Sequence, residues 1–295
     1  SGSSNQDATS PEVEDTISIL GSDGPMAGAK VEVFDLQEYL NDSDNAENVL
    51  ADETAITDRN TALADNLKLK LDAGKGPFLV VVTAIPDKIN EVTGKLTLGT
   101  RDLTTGEPPV VGKVKTIIDS ESLNAGRVYA TPLTTLAVDI AMNGRGVARE
   151  VTDNLPSAQI KAKAFFGFGM NPDIDIFNTP PILDETTDTP ELQQQVAEYR
   201  AATETFAAVI GQLVENQAFG SSADIYEAIV ADDALNDVIN TVTILNEVNT
   251  VDENYLVNTG RFDENESIAD LLSSDADAVG LSANYEIDDS LVFVI

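Results

Sequence analysis

The first part of the chain alternates apolar and polar residues in short runs that are separated by turn residues. Positions 67–71, Leu-Lys-Leu-Lys-Leu, keep a period of two, whereas 78–82 form a continuous apolar run typical of a strand covered on both faces. Gly and Pro cluster between such runs, as in 21–25. This pattern predicts an antiparallel β-sandwich over residues 16–130, with further strands at 16–20, 30–34, 95–98, 114–118 and 127–129.

The hydrophobic period changes to that of a helix after residue 130. Thr131 and Thr189 each place an N-capping hydroxyl before a proline in the first turn. A stripe with alternating spacings of four and three, apolar except at Thr203, predicts a long helix after Pro190; its members are Leu192, Val196, Tyr199, Thr203, Phe206, Ile210 and Leu213. We therefore expect an α+β protein with four parts: a polar tail (1–15), the β-sandwich (16–130), a helical domain (131–284) and a C-terminal β-strand (285–295).

The C-terminal segment holds five consecutive apolar residues, namely Leu291, Val292, Phe293, Val294 and Ile295. Because they do not alternate with polar residues, both faces of the predicted strand need to be buried. Two arrangements meet that need: the strand completes the sandwich of its own chain, or it pairs with the sheet of a neighbouring copy. Repeated head to tail, the second arrangement gives an open fibre, so 291–295 is a candidate assembly segment.

Composition excludes several functional classes. The chain carries 17 basic and 51 acidic residues, and the resulting net charge of −34 repels nucleic acid and anionic membranes. Cys, His and Trp are absent, which excludes disulfides, thiolate nucleophiles, Ser-His-Asp triads and imidazole metal ligands. No apolar run is long enough to span a membrane, and residues 1–15 do not resemble a signal peptide, so a mature chain is expected.

This acidity suits either solubility in salty surroundings or the binding of divalent cations, and a solvated acidic surface is the interpretation that we favour. The candidate cation sites are two short acidic segments. Asp275 and Asp277, followed by Glu286, match part of an EF-hand loop, and Asp173 and Asp175 are separated by one residue. The structural alternatives are an acidic turn after a helix in the first segment, and carboxylates that cap backbone amides in the second. Calcium is the candidate ion at both segments, and no other cofactor is expected.

Residues 36–60 form an acidic insertion between predicted strands. Asp42, Asp44 and Glu47 lie within it among turn-forming Asn and Ser residues. A third cation site is conceivable there, but the composition favours an ordinary exposed loop, and that is our interpretation.

Four stretches resemble parts of bacterial secreted or surface proteins. Residues 21–33, GSDGPMAGAKVEV, resemble the opening of carboxypeptidase regulatory-like domains, and 57–61, TDRNT, resemble a later turn of that family, with Asn60 where Gly is usual. Residues 131–136, TPLTTL, resemble the junction between such a domain and a helical region in surface lipoproteins. The Ser/Gly-rich start resembles a lipoprotein tether. The resemblance implies a transthyretin-like sandwich, an extracellular or cell-surface location and a non-catalytic role.

These features predict a non-enzymatic extracellular or cell-surface structural protein that assembles with itself into a fibre or sheath through terminal strands. A monomeric surface lipoprotein that binds a ligand or partner protein is the alternative. A carboxylate-dependent hydrolase is a third hypothesis, but an aromatic content of 5% without Trp argues against a sugar-cleaving site.

Overall fold

The computed structural model describes residues 16–70, 74–236 and 268–281. Within these residues the fold is α+β, as predicted, because strands with a few short helices occupy the part from residue 16 to 130 and long helices follow. The strands are β1 (Thr16–Gly21), β2 (Met26–Ala27), β3 (Lys30–Asp35), β4 (Glu53–Ile56), β5 (Leu63–Lys68), β6 (Phe78–Thr83), β7 (Lys88–Ile89), β8 (Leu96–Thr97), β9 (Arg101–Asp102), β10 (Lys113–Ile118) and β11 (Arg127–Ala130).

Four of these strands form an antiparallel sheet in the order β10-β6-β3-β4. The apolar run at 78–82 lies in β6, which has a neighbour on each side and is buried along its length except at Thr83. Lys30 pairs with Thr83 at one end of the sheet, and Asp35 pairs with Phe78 at the other. The continuous apolar run therefore predicted a central strand correctly.

A second sheet has the order β11-β1-β5. Its β1–β11 pairing is parallel, which differs from the antiparallel expectation. The chain reaches β11 after the short helix α2 (Ser120–Ala125), and Gly126 ends that helix with a φ of 74°. This helical connection turns the chain from the four-stranded sheet into the other sheet beside β1, and a parallel pairing results. Small two-stranded sheets join β2 with β9 and β7 with β8.

Two of the helices begin where the Thr-Pro capping signals predict. Thr131 accepts a hydrogen bond from the Thr134 N–H and forms a capping box for α3 (Pro132–Met142), and the Thr189 side chain caps α5 (Pro190–Glu215) by accepting from the Leu192 N–H. Gly144 and Gly146 lie in the turn between α3 and α4 (Ala148–Phe166). The helices are α1 (Leu36–Asn41), α3 (Pro132–Met142), α4 (Ala148–Phe166), α5 (Pro190–Glu215), α6 (Ser222–Asn236) and α7 (Ile268–Ala278), besides α2.

One hydrophobic core runs through both the strand region and the helical region. It includes Val114 of β10, Leu133 and Leu136 of α3, and Phe206 of α5. The ring of Phe206 stacks on that of Phe166 with a centroid distance of 4.4 Å. The apolar stripe of α5 faces this core, so α3 and α5 fix the helices against the sheets.

Two segments differ from the sequence prediction. Residues 36–60 are not a simple loop, because they contain α1, a 3-10 helix (Ser43–Asn48) and the edge strand β4. The strand predicted at 67–71 begins earlier, at Leu63, since β5 pairs with β1 over Leu63–Lys68. The predicted tail (1–15) and C-terminal strand (285–295) lie outside the described residues.

Candidate functional site

A β-hairpin leaves one end of the four-stranded sheet directly after β6. It comprises residues 84–100 and is called the hairpin below. Lys88 pairs with Thr97, and Ile89 pairs with Leu96, in antiparallel register. Every residue from 86 to 98 is exposed. The hairpin is therefore a regular structure that lies almost entirely in solvent.

The turn at the tip of the hairpin is closed by local hydrogen bonds. Asn90 Oδ1 accepts from the N–H groups of Val92 and Thr93, at 2.9 and 3.0 Å. The Asn90 N–H donates to the Lys95 carbonyl at 2.9 Å, and Gly94 has a φ of 69°. An Asx turn followed by a left-handed glycine is a self-sufficient turn, so it holds Val92 at the outer end of the hairpin.

The base of the hairpin is joined to the sheet by Thr100. Its N–H donates to the Ile85 carbonyl at 2.8 Å, and its Oγ1 accepts from the Ile85 N–H at 2.7 Å and donates to the Gly28 carbonyl at 2.9 Å. A Cβ at Gly99 would overlap the Ile85 carbonyl oxygen. The two arms therefore approach each other at a distance that only glycine allows at this position.

An ion pair closes the same base from the side. The Arg101 guanidinium donates to both carboxylate oxygens of Asp87, at 2.9 and 2.8 Å, and the Gly99 N–H donates to Asp87 Oδ1 at 2.6 Å. These bonds, that from Arg101 first and that from Gly99 second, lower the pKa of Asp87 to about 2. Arg59 donates to the carbonyls of Leu98 and Gly99. The hairpin is thus fixed at both ends.

Four large apolar side chains of this rigid hairpin are exposed to solvent. Ile89, Val92, Leu96 and Leu98 are between 50% and 95% exposed. Single exposed apolar residues are ordinary, but a group of four in one short ordered segment is typical of a contact surface. Leu96 stands opposite Ile89 in the register, so the two are neighbours across the strands.

The hairpin also differs in charge from the rest of the chain. Lys88 and Lys95 are exposed on it, whereas the whole chain has a net charge of −34. Its two carboxylates are Asp87, which forms an ion pair with Arg101, and Glu91. The surface that the hairpin offers is therefore apolar and mildly basic, and suits an acidic partner surface with apolar residues of its own.

A buried ionic cluster in the helical region is the second unusual feature. Arg200 of α5 is 1% exposed; its Nε donates to Asp275 at 2.7 Å, and its Nη1 donates to Glu204 at 2.7 Å. Thr104, in the loop after β9, donates to Asp275 at 2.7 Å. Burial alone would lower the pKa of Arg200, but Asp275 and Glu204 outweigh it and raise that pKa well above its ordinary value. The cluster is satisfied internally and joins α5, α7 and the strand region.

A pocket of about 370 Å³ opens between β10, α3 and α6. Its polar lining includes Lys115 and Asp139, which are paired at 2.8 Å, together with Lys113 and Glu227. The ring of Tyr226 also lines it, and burial, followed by the charges of nearby carboxylates, raises the pKa of that hydroxyl. The volume is in the range of small-molecule sites, and both signs of charge are present.

The predicted metal residues at 275–286 are not brought together as a loop. Asp275 and Asp277 both lie in α7 (Ile268–Ala278), where Asp275 is buried against Arg200 and Asp277 is exposed. Glu286 and the assembly segment 291–295 lie outside the described residues. Calcium at this segment stays a prediction, and the geometry shows that one of its carboxylates is already engaged.

The second predicted metal segment is an exposed loop. Asp173 and Asp175 are both exposed, and Asp175 accepts from the Phe177 N–H at 2.9 Å and the Asn178 side chain at 2.7 Å. The Lys163 ammonium donates to the carbonyls of Pro172 and Ile174. The capping alternative thus describes Asp175 well, and calcium here also stays a prediction. Within 16–70, 74–236 and 268–281, no three acidic residues group as a metal site would require.

Comparison of the chain with protein-family models, curated proteins and solved structures found no match in any of the three. Among the described helices, none combines the length and apolar character that crossing a membrane requires.

The sequence prediction missed the hairpin as a site. It identified a strand at 95–98 but not its partner, because β7 has two residues and too little alternation to be recognised. The available signal was the turn sequence Asn-Glu-Val-Thr-Gly at 90–94, which has an Asx-turn residue at its start and a glycine at its end. Val92 lies at the centre of this turn, and an apolar residue at such a position is the sequence feature that most directly indicates an exposed contact surface.

Proposed function

We propose that this chain is a non-enzymatic structural protein of the extracellular space or cell surface, which associates with copies of itself through the hairpin. The observation that carries the proposal is the group of four exposed apolar side chains on a segment fixed by Asn90 at its tip and Thr100 at its base. A rigid surface of this kind loses little conformational entropy when it binds.

The fold within this proposal is a transthyretin-like sandwich of the carboxypeptidase regulatory-like type. Its support is the motif at 21–33, which supplies β2 and β3, and the two larger sheets that contribute to one core. The polar opening and the TPLTTL junction at 131–136 support a surface lipoprotein, with a lipid anchor before the tether. Polymerisation into a filament or sheath is the arrangement that we favour.

Terminal strand exchange through 291–295 remains part of the proposal as an additional contact. Those residues lie outside the described part of the chain, so the proposed self-association rests on the hairpin. Calcium is retained as a candidate ligand of Asp173 and Asp175, whose charges are both exposed.

Sedimentation velocity and negative-stain microscopy on the full chain, across a concentration series, test self-association. Species larger than the monomer are expected, and the double variant Ile89→Ser/Val92→Ser is expected to reduce them strongly. Ile160→Ser is the matched control, because Ile160 is also an exposed apolar residue but lies on α4. A full chain that stays monomeric at every concentration, with and without calcium, would contradict the proposal.

The pocket favours a second candidate function, a monomeric surface lipoprotein that binds a small charged ligand. Lys113 and Glu227 place opposite charges at its lining, which suits a zwitterionic molecule. A thermal-shift screen of amino acids and short peptides distinguishes the two functions. A shift that is lost in Glu227→Gln, on a chain that stays monomeric, would favour this alternative over self-association.

A further inference from the structure

The two ends of the four-stranded sheet carry different surfaces. The hairpin leaves from Thr83, which pairs with Lys30 at one end. At the other end, the chain leaves β3 at Asp35 and returns to β4 at Glu53, and Glu53 pairs with Val33. The strands between have six residues, so the two departure points are roughly 20 Å apart. The segment 41–53 at this second end is called the acidic loop below.

The acidic loop combines carboxylates with an exposed apolar side chain. It has no Lys or Arg, and its acidic residues are Asp42, Asp44, Glu47, Asp52 and Glu53. Leu50 on the same loop is 87% exposed. The loop is anchored underneath, because Leu36 and Leu40 of α1 are buried and Asp52 accepts from the Asp35 N–H at 3.0 Å.

The acidic loop and the hairpin are complementary in chemistry. The hairpin offers Val92 together with the exposed Lys88 and Lys95 of the same segment, and the loop offers Leu50 with Asp44 and Glu47 nearby in sequence. Electrostatic repulsion between the strand regions of two copies is weak, because residues 16–130 hold 11 basic and 18 acidic residues, a net charge of −7. Opposite charges around an apolar centre give a contact both direction and register.

We infer that the hairpin of one copy docks on the acidic loop of the next copy. This inference rests on the proposed self-association and names the surface that receives the hairpin. Because the two surfaces differ and lie at opposite ends of one sheet, the contact is heterologous and leaves a free hairpin and a free acidic loop at the ends of every assembly. The product is an open head-to-tail chain. Because each contact would involve only one hairpin and one loop, long assemblies are expected only at high concentration.

A charge exchange between the two surfaces tests the inference on the full chain. Lys88→Glu/Lys95→Glu makes the hairpin acidic, and Asp44→Lys/Glu47→Lys makes the loop basic. At about 0.15 M salt, each variant alone is expected to bind itself at least about tenfold more weakly than the unmodified chain. An equimolar mixture of the two is expected to restore association, because every hairpin then meets a loop of opposite charge.

The controls separate the inference from the proposed function. All four substituted residues are exposed, so circular dichroism and the unfolding midpoint are expected to stay unchanged.

If Asp44→Lys/Glu47→Lys alone associates like the unmodified chain, the receiving surface lies elsewhere and only the inference fails. A mixture that does not associate also overturns it. If the unmodified chain never associates, the proposed function itself fails. A monomer destabilised by the hairpin variant would show that its own chain covers the hairpin, which overturns the inference too.

Discussion

The cluster at Arg200 and the hairpin reverse the usual distribution of residues in opposite ways. The cluster places charged groups in the core, and each of them has a partner of opposite charge or a hydrogen bond from the same chain. The hairpin places apolar groups in solvent, and among the described residues nothing covers Val92. An inversion that is compensated inside the chain is explained by folding. An inversion without such compensation among the described residues supports the proposed contact with a second copy.

The net charge also differs between the helical region and the strand region. Residues 131–295 hold 6 basic and 29 acidic residues, a net charge of −23, against −7 for residues 16–130. The helical region therefore repels a second copy much more strongly than the strand region does. Contacts between copies are expected at the strand region, where both the hairpin and the acidic loop lie.

The largest expected effect comes from breaking the buried cluster. Asp275→Ala leaves the buried Arg200 guanidinium with Glu204 as its remaining ion-pair partner, and we expect the free energy of unfolding to fall by about 3–5 kcal/mol. Chemical denaturation monitored by circular dichroism measures this loss. The surface pair Arg149–Asp153 has the same i,i+4 spacing as Arg200–Glu204 but is exposed. Asp153→Ala is therefore the control, with an expected change within about 0.5 kcal/mol. A similar small loss for Asp275→Ala would show that the cluster opens to water.

The hairpin is expected to respond more locally when its base is disturbed. In Gly99→Ala the new methyl group overlaps the Ile85 carbonyl, so the arms separate at a cost of about 1–3 kcal/mol. Hydrogen exchange at the Thr100 N–H, which donates to Ile85, is expected to accelerate. Gly112→Ala provides the comparison, since a Cβ at Gly112 meets no atom within 4 Å. Equal exchange in the two variants would mean that the base of the hairpin is not a tight contact.

The success of the sequence prediction depended on how many residues carried each signal. The stripe from Val196 to Leu213 and the apolar run of β6 repeat their pattern over a whole element, and both were confirmed. The Arg200–Asp275 contact joins residues 75 positions apart, and no local pattern specifies it. The sequence analysis placed Asp275 in a candidate calcium site, with an acidic turn as the alternative. In the fold, Asp275 pairs with Arg200. The parallel β1–β11 pairing is a tertiary arrangement of the same kind.

An intermediate case lies at Tyr129, where a partly buried ion pair meets a buried hydroxyl. The Tyr129 hydroxyl donates to Asp184 at 2.9 Å, and Arg127 donates to the same carboxylate at 3.3 Å. Burial, together with the charge of Asp184, raises the pKa of Tyr129 above its ordinary value. Tyr129→Phe removes one of several bonds to Asp184, so a loss of about 1–2 kcal/mol is expected by denaturation. Tyr39→Phe, which keeps the ring contact with Phe34, is the control. A loss as large as that of Asp275→Ala would place this pair with the buried cluster.

The smallest expected effect is at the Asp87–Arg101 pair, which has the guanidinium–carboxylate chemistry of the buried cluster but is partly exposed to solvent. Because the pKa of Asp87 is lowered to about 2, its contribution to stability is complete above about pH 4 and is lost as the pH falls towards 2. The Gly99 amide donates to this carboxylate, so its chemical shift in a proton–nitrogen spectrum is expected to titrate with a midpoint near pH 2. Arg101→Gln removes the guanidinium charge and is expected to move that midpoint upwards. An unchanged midpoint would mean that the Gly99 bond alone holds Asp87, and that the ion pair contributes nothing to the rigidity of the hairpin.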